Sequence, residues 1–191
     1  MKLYDSIGPN PRVVRMAMAE KAMNVETIKV DLMGAENRQA GYLTKVPTGG
    51  LPALELDDGS VIAEITVIAE YLEDLKPTPA IIGTTPAERA ETRMWVRRID
   101  LAIAEPMTTS FRAAEGRQLF ASRMTLLSAG AATELKAIAQ EKLLWLDKLM
   151  QGRNWVCGER HTLADIVLLA FIEFGASVGQ PIPAADRKSV V

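Results

Sequence analysis

Cys157 and His161 are the lone cysteine and lone histidine of this 191-residue chain, so nucleophilic and metal chemistry are weighed on them first. Cys157 lies in the apolar stretch Trp155-Val156-Cys157-Gly158 and reads as a buried small hydrophobe rather than a nucleophile. A single thiol also excludes an intrachain disulfide and any zinc site built on several thiolates. His161 has no Cys, His or carboxylate partner at metal-ligand spacing, and no metal is expected. The informative polar groups stand instead at helix starts. Asn10, ahead of Pro11, suits an N-cap with proline at the first helical position, and Ser6 precedes it in the same loop. Glu64 and Ile65 open a second such start. There, unpaired backbone N–H groups and the helix dipole favour an anion.

The elements that position these residues follow from periodicity. Lys2–Asp5 reads as a strand, and the helix after Asn10 carries Val13, Val14, Met16 and Met18. A strand over 26–31, a weaker helix over about 36–43 and a hairpin follow. The hairpin joins 52–56 to 61–63 through Asp57-Asp58-Gly59-Ser60. A helix over 65–75 completes the order βαβαββα. Lys76-Pro77-Thr78-Pro79 breaks it, and Gly83-Thr84-Thr85-Pro86 leads into an all-α remainder. That remainder has a long helix over 86–104, a looser region around 107–116 and a helix over 135–150. Thr162-Leu163-Ala164-Asp165 is a variant capping box opening the apolar run 166–174. An α/β domain over 1–76 and a helical domain over 86–191 are therefore expected.

Composition is ordinary globular, with 48% apolar and 24% charged residues and net charge −2. No excess of positive charge is present to neutralise a phosphate backbone, so nucleic acid is not an expected partner. No apolar run is long enough to span a membrane, and the first residues make no signal peptide. A cytoplasmic protein is expected.

Three segments together resemble the glutathione-transferase superfamily across essentially the whole chain. They are Lys2-Leu3-Tyr4 with Ser6 to Arg15, Glu36-Asn37-Arg38 through Leu51-Pro52-Ala53-Leu54 to Ala63-Glu64-Ile65-Thr66 and Leu72, and Gly158 to Ile166. The resemblance implies a thioredoxin-like N-terminal domain followed by an all-α domain, with glutathione as co-substrate. It implies a cis bond at Pro52, leaving the backbone of Leu51 to pair with the cysteinyl unit of glutathione. Glu64 would face the γ-glutamyl ammonium. The family's usual serine is replaced by Ile65, so the backbone N–H there would hold the carboxylate, with Thr66 offering a hydroxyl one position later. Gln39 or Arg38 would hold the glycine end.

The loop Ser6-Ile7-Gly8-Pro9-Asn10-Pro11 resembles that of the bacterial nu class, with Gly8 at its Thr position and Asn10 retained. Asn10 or Ser6 would then stabilise the thiolate. Met107 and Phe111, with Trp95 and Phe120, would line an acceptor pocket for a small electrophile. The activity implied is conjugation or glutathione-dependent disulfide reduction, in a detoxifying homodimer. Gly8 and Ile65 keep open a non-catalytic scaffold or regulator. A free-standing thioredoxin-type oxidoreductase lacks its Cys-x-x-Cys. Relatives continue beyond 182–184 by roughly 20 to 30 residues. The short end Asp186 to Val191 is thus expected to be either the protein's own or a truncation.

Overall fold

A computed structural model describes residues 1–180 and 182; the terminal stretch 183–191 lies outside the described residues. The chain divides into two compact units, Met1–Ile82 and the remainder from Gly83 on.

The first unit runs β1 (Lys2–Asp5), α1 (Pro9–Glu20), β2 (Glu26–Lys29), a 3₁₀ turn (Glu36–Arg38), α2 (Ala40–Leu43), β3 (Ala53–Glu55), β4 (Val61–Ala63) and α3 (Ile65–Leu75). The sheet order is β2-β1-β3-β4, with β1 parallel to β2 and antiparallel to β3, and β4 antiparallel to β3. Alternation along the strands builds a core on each face. Leu3 and Leu54 point to one side, packed with Val14, Met18, Ile68 and Leu72 from α1 and α3. Tyr4 and Ala53 point to the other, packed with Val30, Tyr42 and Val46.

Two local expectations change. Gly8, not Asn10, is the N-cap of α1. Its φ of 111° is a backbone conformation that costs glycine little, and Pro9 takes the first helical position. The helix expected over 36–43 is two pieces, broken where Gln39 turns extended (φ −80°, ψ 152°).

At the C-terminal ends of α1 and α3, Lys21 and Glu73 form an ion pair with both side chains at most 2% exposed. The Lys21 ammonium also donates to the carbonyls of Lys76 (2.7 Å) and Pro79 (2.9 Å). The Glu73 carboxylate accepts from the N–H groups of Ile81 and Ile82, each at 3.1 Å. Every polar atom of this buried pair thus has work to do, which is what makes burial of two charges tolerable. The pair fastens residues 76–82 to α1 and α3.

The second unit is helical: α4 (Pro86–Ile99), a π-helical segment (Asp100–Ala104), α5 (Glu105–Ala113), α6 (Arg117–Phe120), α7 (Ala129–Met150) and α8 (Leu163–Ser177). The region around 107–116, expected to be loose, is largely regular helix. Pro106 explains the π segment between α4 and α5. It has no N–H to offer the carbonyl four residues back, and the Glu105 N–H bonds the carbonyl of Asp100 five residues back. Helix α7 starts six residues earlier than its apolar period suggests. Ser128 caps it through the N–H of Ala131 (3.2 Å), and the first turns are small residues without a hydrophobic signal. The capping box at Thr162 and Asp165 forms as expected. Asp165 accepts from the Thr162 N–H and also from the Val156 N–H, each at 2.8 Å, tying the preceding loop to α8. Among the described residues, no helix is long and apolar enough to cross a membrane.

Candidate functional site

Strand register brings four connections of the first unit to one end of the sheet, the edge at which its strands β1, β2 and β4 stop. Tyr4 lies opposite Ala53, Ala53 opposite Ala63, and Asp5 beside Lys29. The ends of β1, β2 and β4 therefore meet the start of β3. Ser6 to Asn10, Leu51-Pro52 and Glu64 to Thr66 are delivered together.

Helix α1 opens with an unusual supply of donors. Pro9 and Pro11 have no N–H, and the Arg12 N–H bonds the Gly8 carbonyl at 3.3 Å. Asn10 is left with the one unpaired backbone N–H of the first turn, and its side-chain amide adds two more donors. Ser6 differs from expectation. It is 8% exposed, and its hydroxyl donates to the Val30 carbonyl at 2.7 Å. A hydroxyl has one proton to give, and here it ties the end of β1 to the residue after β2, while Ser6 also borders a neighbouring cleft. Beneath it, the fully buried Asp5 carboxylate is bonded by Arg15 and Lys29. Arg15 also donates to the Ser6 carbonyl at 3.0 Å. A cleft of about 580 Å³ opens on the β2 side of this edge, bordered by Ile7, Arg15, Lys29, Val30 and Met33.

The Leu51–Pro52 bond is cis. Among the described residues, neither the N–H nor the C=O of Leu51 enters a backbone hydrogen bond. The three residues before it are tied through their carbonyls. The Arg38 guanidinium donates to Thr48 (3.0 Å), the Asn37 amide to Gly49 (2.7 Å) and the Tyr42 hydroxyl to Gly50 (2.6 Å). Gly49 has φ 64°, and a Cβ there would lie 2.8 Å from the Asn37 carbonyl oxygen, so the approach requires glycine. Tyr42 stands edge-on to Tyr4 with ring centroids 5.8 Å apart. Burial, and then the neighbouring Tyr4, push its phenol well above the ordinary range, so it is a donor at any physiological pH. Tyr4 donates to Glu55 at 2.6 Å, and Lys45 pairs with the same carboxylate oxygen.

At α3, Glu64 is the N-cap residue, exposed and with φ 73°, a conformation that a non-glycine residue pays for and that recurs at functional sites. The Ile68 N–H bonds the Glu64 carbonyl (2.9 Å), which leaves the N–H groups of Ile65, Thr66 and Val67 unpaired. The Ile65 side chain packs against the core, so only its backbone faces the edge. Thr66 is half-buried and Gln39 exposed. Arg38 is exposed and gives one of its five N–H groups to the Thr48 carbonyl.

Of the residues expected to line an acceptor pocket, Met107 is buried and Phe111 half-buried. Met107 is 1% exposed, its sulfur lies close against Gly175 of α8, and its carbonyl accepts from Gln180 at 2.9 Å. Phe111 is wedged between Phe174 and Phe120, with centroids at 5.1 and 6.2 Å. Met107 is interior packing of the helical unit, whereas Phe111 is half-buried among the other two rings. Cys157 is buried against Thr162 and Thr92, and burial pushes its thiol up. His161 stands edge-on to Trp155 with ring centroids 4.6 Å apart.

A thioredoxin-like α/β unit with a cis-proline edge, followed by a helical unit with a capping box, defines the class of this protein. The family model described as glutathione S-transferase, N-terminal domain, matches residues 7–75. The chain is 33% identical to glutathione S-transferase 2 of Saccharomyces cerevisiae, with 96% of this chain and 79% of that protein covered. It is 30% identical to maleylacetoacetate isomerase of Pseudomonas aeruginosa, covering 98% and 87% respectively. The crystal structure of Gtt2 from Saccharomyces cerevisiae aligns with a TM-score of 0.93 at 31% identity, covering 100% of this chain and 94% of that one. The chain belongs to the glutathione S-transferase family.

Proposed function

We propose that this protein binds glutathione along the sheet edge of its first unit and uses the bound thiolate on a small electrophile or a disulfide. The observation that carries the reading is Leu51, whose backbone N–H and C=O stand unpaired on the edge that also holds the starts of α1 and α3. A peptide ligand pairs with such groups as an added strand does. The γ-glutamyl carboxylate suits the free N–H groups of Ile65 and Thr66, and Glu64 supplies the charge opposite its ammonium. Exposed Gln39 and Arg38 are the polar side chains available to the glycine end.

Asn10 then stabilises the thiolate with its backbone N–H and side-chain amide, and the thiol proton leaves to water. In conjugation the thiolate attacks the electrophilic carbon and the leaving group departs with its electron pair. In disulfide reduction it attacks one sulfur and expels the other as a thiolate. A cytoplasmic, detoxifying homodimer is part of the same proposal, in keeping with family membership and the absence of structural disulfides.

Gly8 has no side chain, and the Ser6 hydroxyl donates to the Val30 carbonyl. That observation favours a second reading, a glutathione-binding scaffold or regulator without turnover. Retention on immobilised glutathione, with assays against a chloro-nitroaromatic and a small disulfide, separates the readings. Binding with turnover supports the enzyme, and binding alone supports the scaffold. Absence of binding overturns both.

A further inference from the structure

We propose that Asn37 and Tyr42 are positioning residues for the peptide-binding backbone of Leu51, an inference that rests on the glutathione reading above. Between them, the 3₁₀ turn and α2 take hold of three successive carbonyls: Thr48 through Arg38, Gly49 through Asn37 and Gly50 through Tyr42. The next residue, Leu51, is the one whose backbone is left unpaired. A clamp that ends where the free groups begin fixes the direction of those groups. Preorganisation of this kind raises affinity by lowering the ordering cost of binding.

Two features set the clamp apart from ordinary loop packing. Asn37 is 3% exposed, and its Oδ1 is a buried side-chain acceptor with no partner in the described residues. A residue kept only for stability would be expected to satisfy both ends of its amide. Tyr42 is in turn braced by Tyr4, whose hydroxyl bonds Glu55 on β3, so the grip is referred to the sheet itself.

The test is Tyr42→Phe, which removes one hydroxyl and keeps the ring against Tyr4, with Asn37→Ala as a second variant. Thr44→Ala is the control, because that exposed hydroxyl bonds only the Gly41 carbonyl of its own helix. Glutathione affinity is read by calorimetry, the Leu51 amide by ¹⁵N NMR, and folding by circular dichroism. Tyr42→Phe is expected to fold as wild type, weaken glutathione about five- to tenfold and displace the Leu51 amide resonance before ligand is added. Thr44→Ala should do neither. Wild-type affinity with an unmoved Leu51 resonance in both clamp variants overturns the proposal, and so does a loss of affinity that merely tracks unfolding. If wild type itself does not bind glutathione, the functional reading fails first.

Discussion

Asn10 sits in a helix turn from which two prolines have removed the competing N–H groups. That arrangement concentrates the positive end of α1 on one residue, and it gives the Asn10→Ala variant a defined outcome. The backbone N–H survives the substitution, so glutathione affinity should change little. The side-chain donor is lost, and a hydrogen bond to a charged acceptor contributes about 1.5–3 kcal/mol. Turnover should fall about tenfold or more. The alkaline rise of the pH–rate profile should move up by about one pH unit, because a thiolate that loses a donor is harder to form. An unchanged profile from the variant would move the thiolate-stabilising role away from Asn10. The same scale shows why the sequence places this residue imperfectly. Asn before Pro reads as an N-cap, yet Gly8 is the residue able to adopt φ 111° at little cost. The cap therefore moves two residues back and frees the asparagine.

Among the elements, the capping box before α8 is well legible in the sequence, because it needs specific side chains at fixed spacing. Thr162 and Asp165 supply them, and Thr85 with Glu88 at the start of α4 forms the same box in the structure. Glu88 accepts from the Thr84 hydroxyl (2.7 Å) and N–H (2.8 Å) and from the Thr85 N–H (3.1 Å). These bonds, the hydroxyl's first, lower its carboxyl from 4.5 to about 2. A carboxyl depressed by folding stabilises the native state above its unfolded value and loses that contribution as pH falls through the folded one. The start of α4 should therefore weaken between about pH 4.5 and 2. Glu88→Gln should flatten this part of the acid dependence in thermal unfolding followed by circular dichroism; a variant as acid-sensitive as wild type would place the titration elsewhere. The βαβαββα order is equally legible, being carried by changes of hydrophobic period. The break at Gln39 and the clamp on Thr48, Gly49 and Gly50 are not. They depend on which carbonyls a folded turn brings within reach of Asn37, Arg38 and Tyr42, and no spacing encodes that. Met107 and Phe111 escape for a related reason. Apolar periodicity reports that a helix face is covered, and in α5 part of that cover is α8 and α6.

For the whole molecule, the outstanding physical question is what covers its exposed apolar side chains. In the first unit Val67 and Leu75 of α3 are 50% and 49% exposed. In the second, Met94 is 41% and Leu101 53% exposed, and Ile138, Trp145 and Leu149 on α7 are each about two-fifths exposed. Single apolar residues at a surface are ordinary, but several along one helix mark an interaction face. Self-association is the proposal in keeping with the family, and it makes stability depend on concentration, since dimer formation draws the folded chain forward by mass action. Light scattering should therefore give twice the mass of one chain at micromolar concentration, and the unfolding midpoint should fall on dilution. Adding glutathione should raise that midpoint at every dilution, by about 2.7 kcal/mol of stabilisation at a hundred times its dissociation constant. The two effects are separable because the ligand term depends on glutathione and the assembly term on protein. A single-chain mass with a midpoint insensitive to dilution overturns the homodimer while leaving the glutathione site untouched.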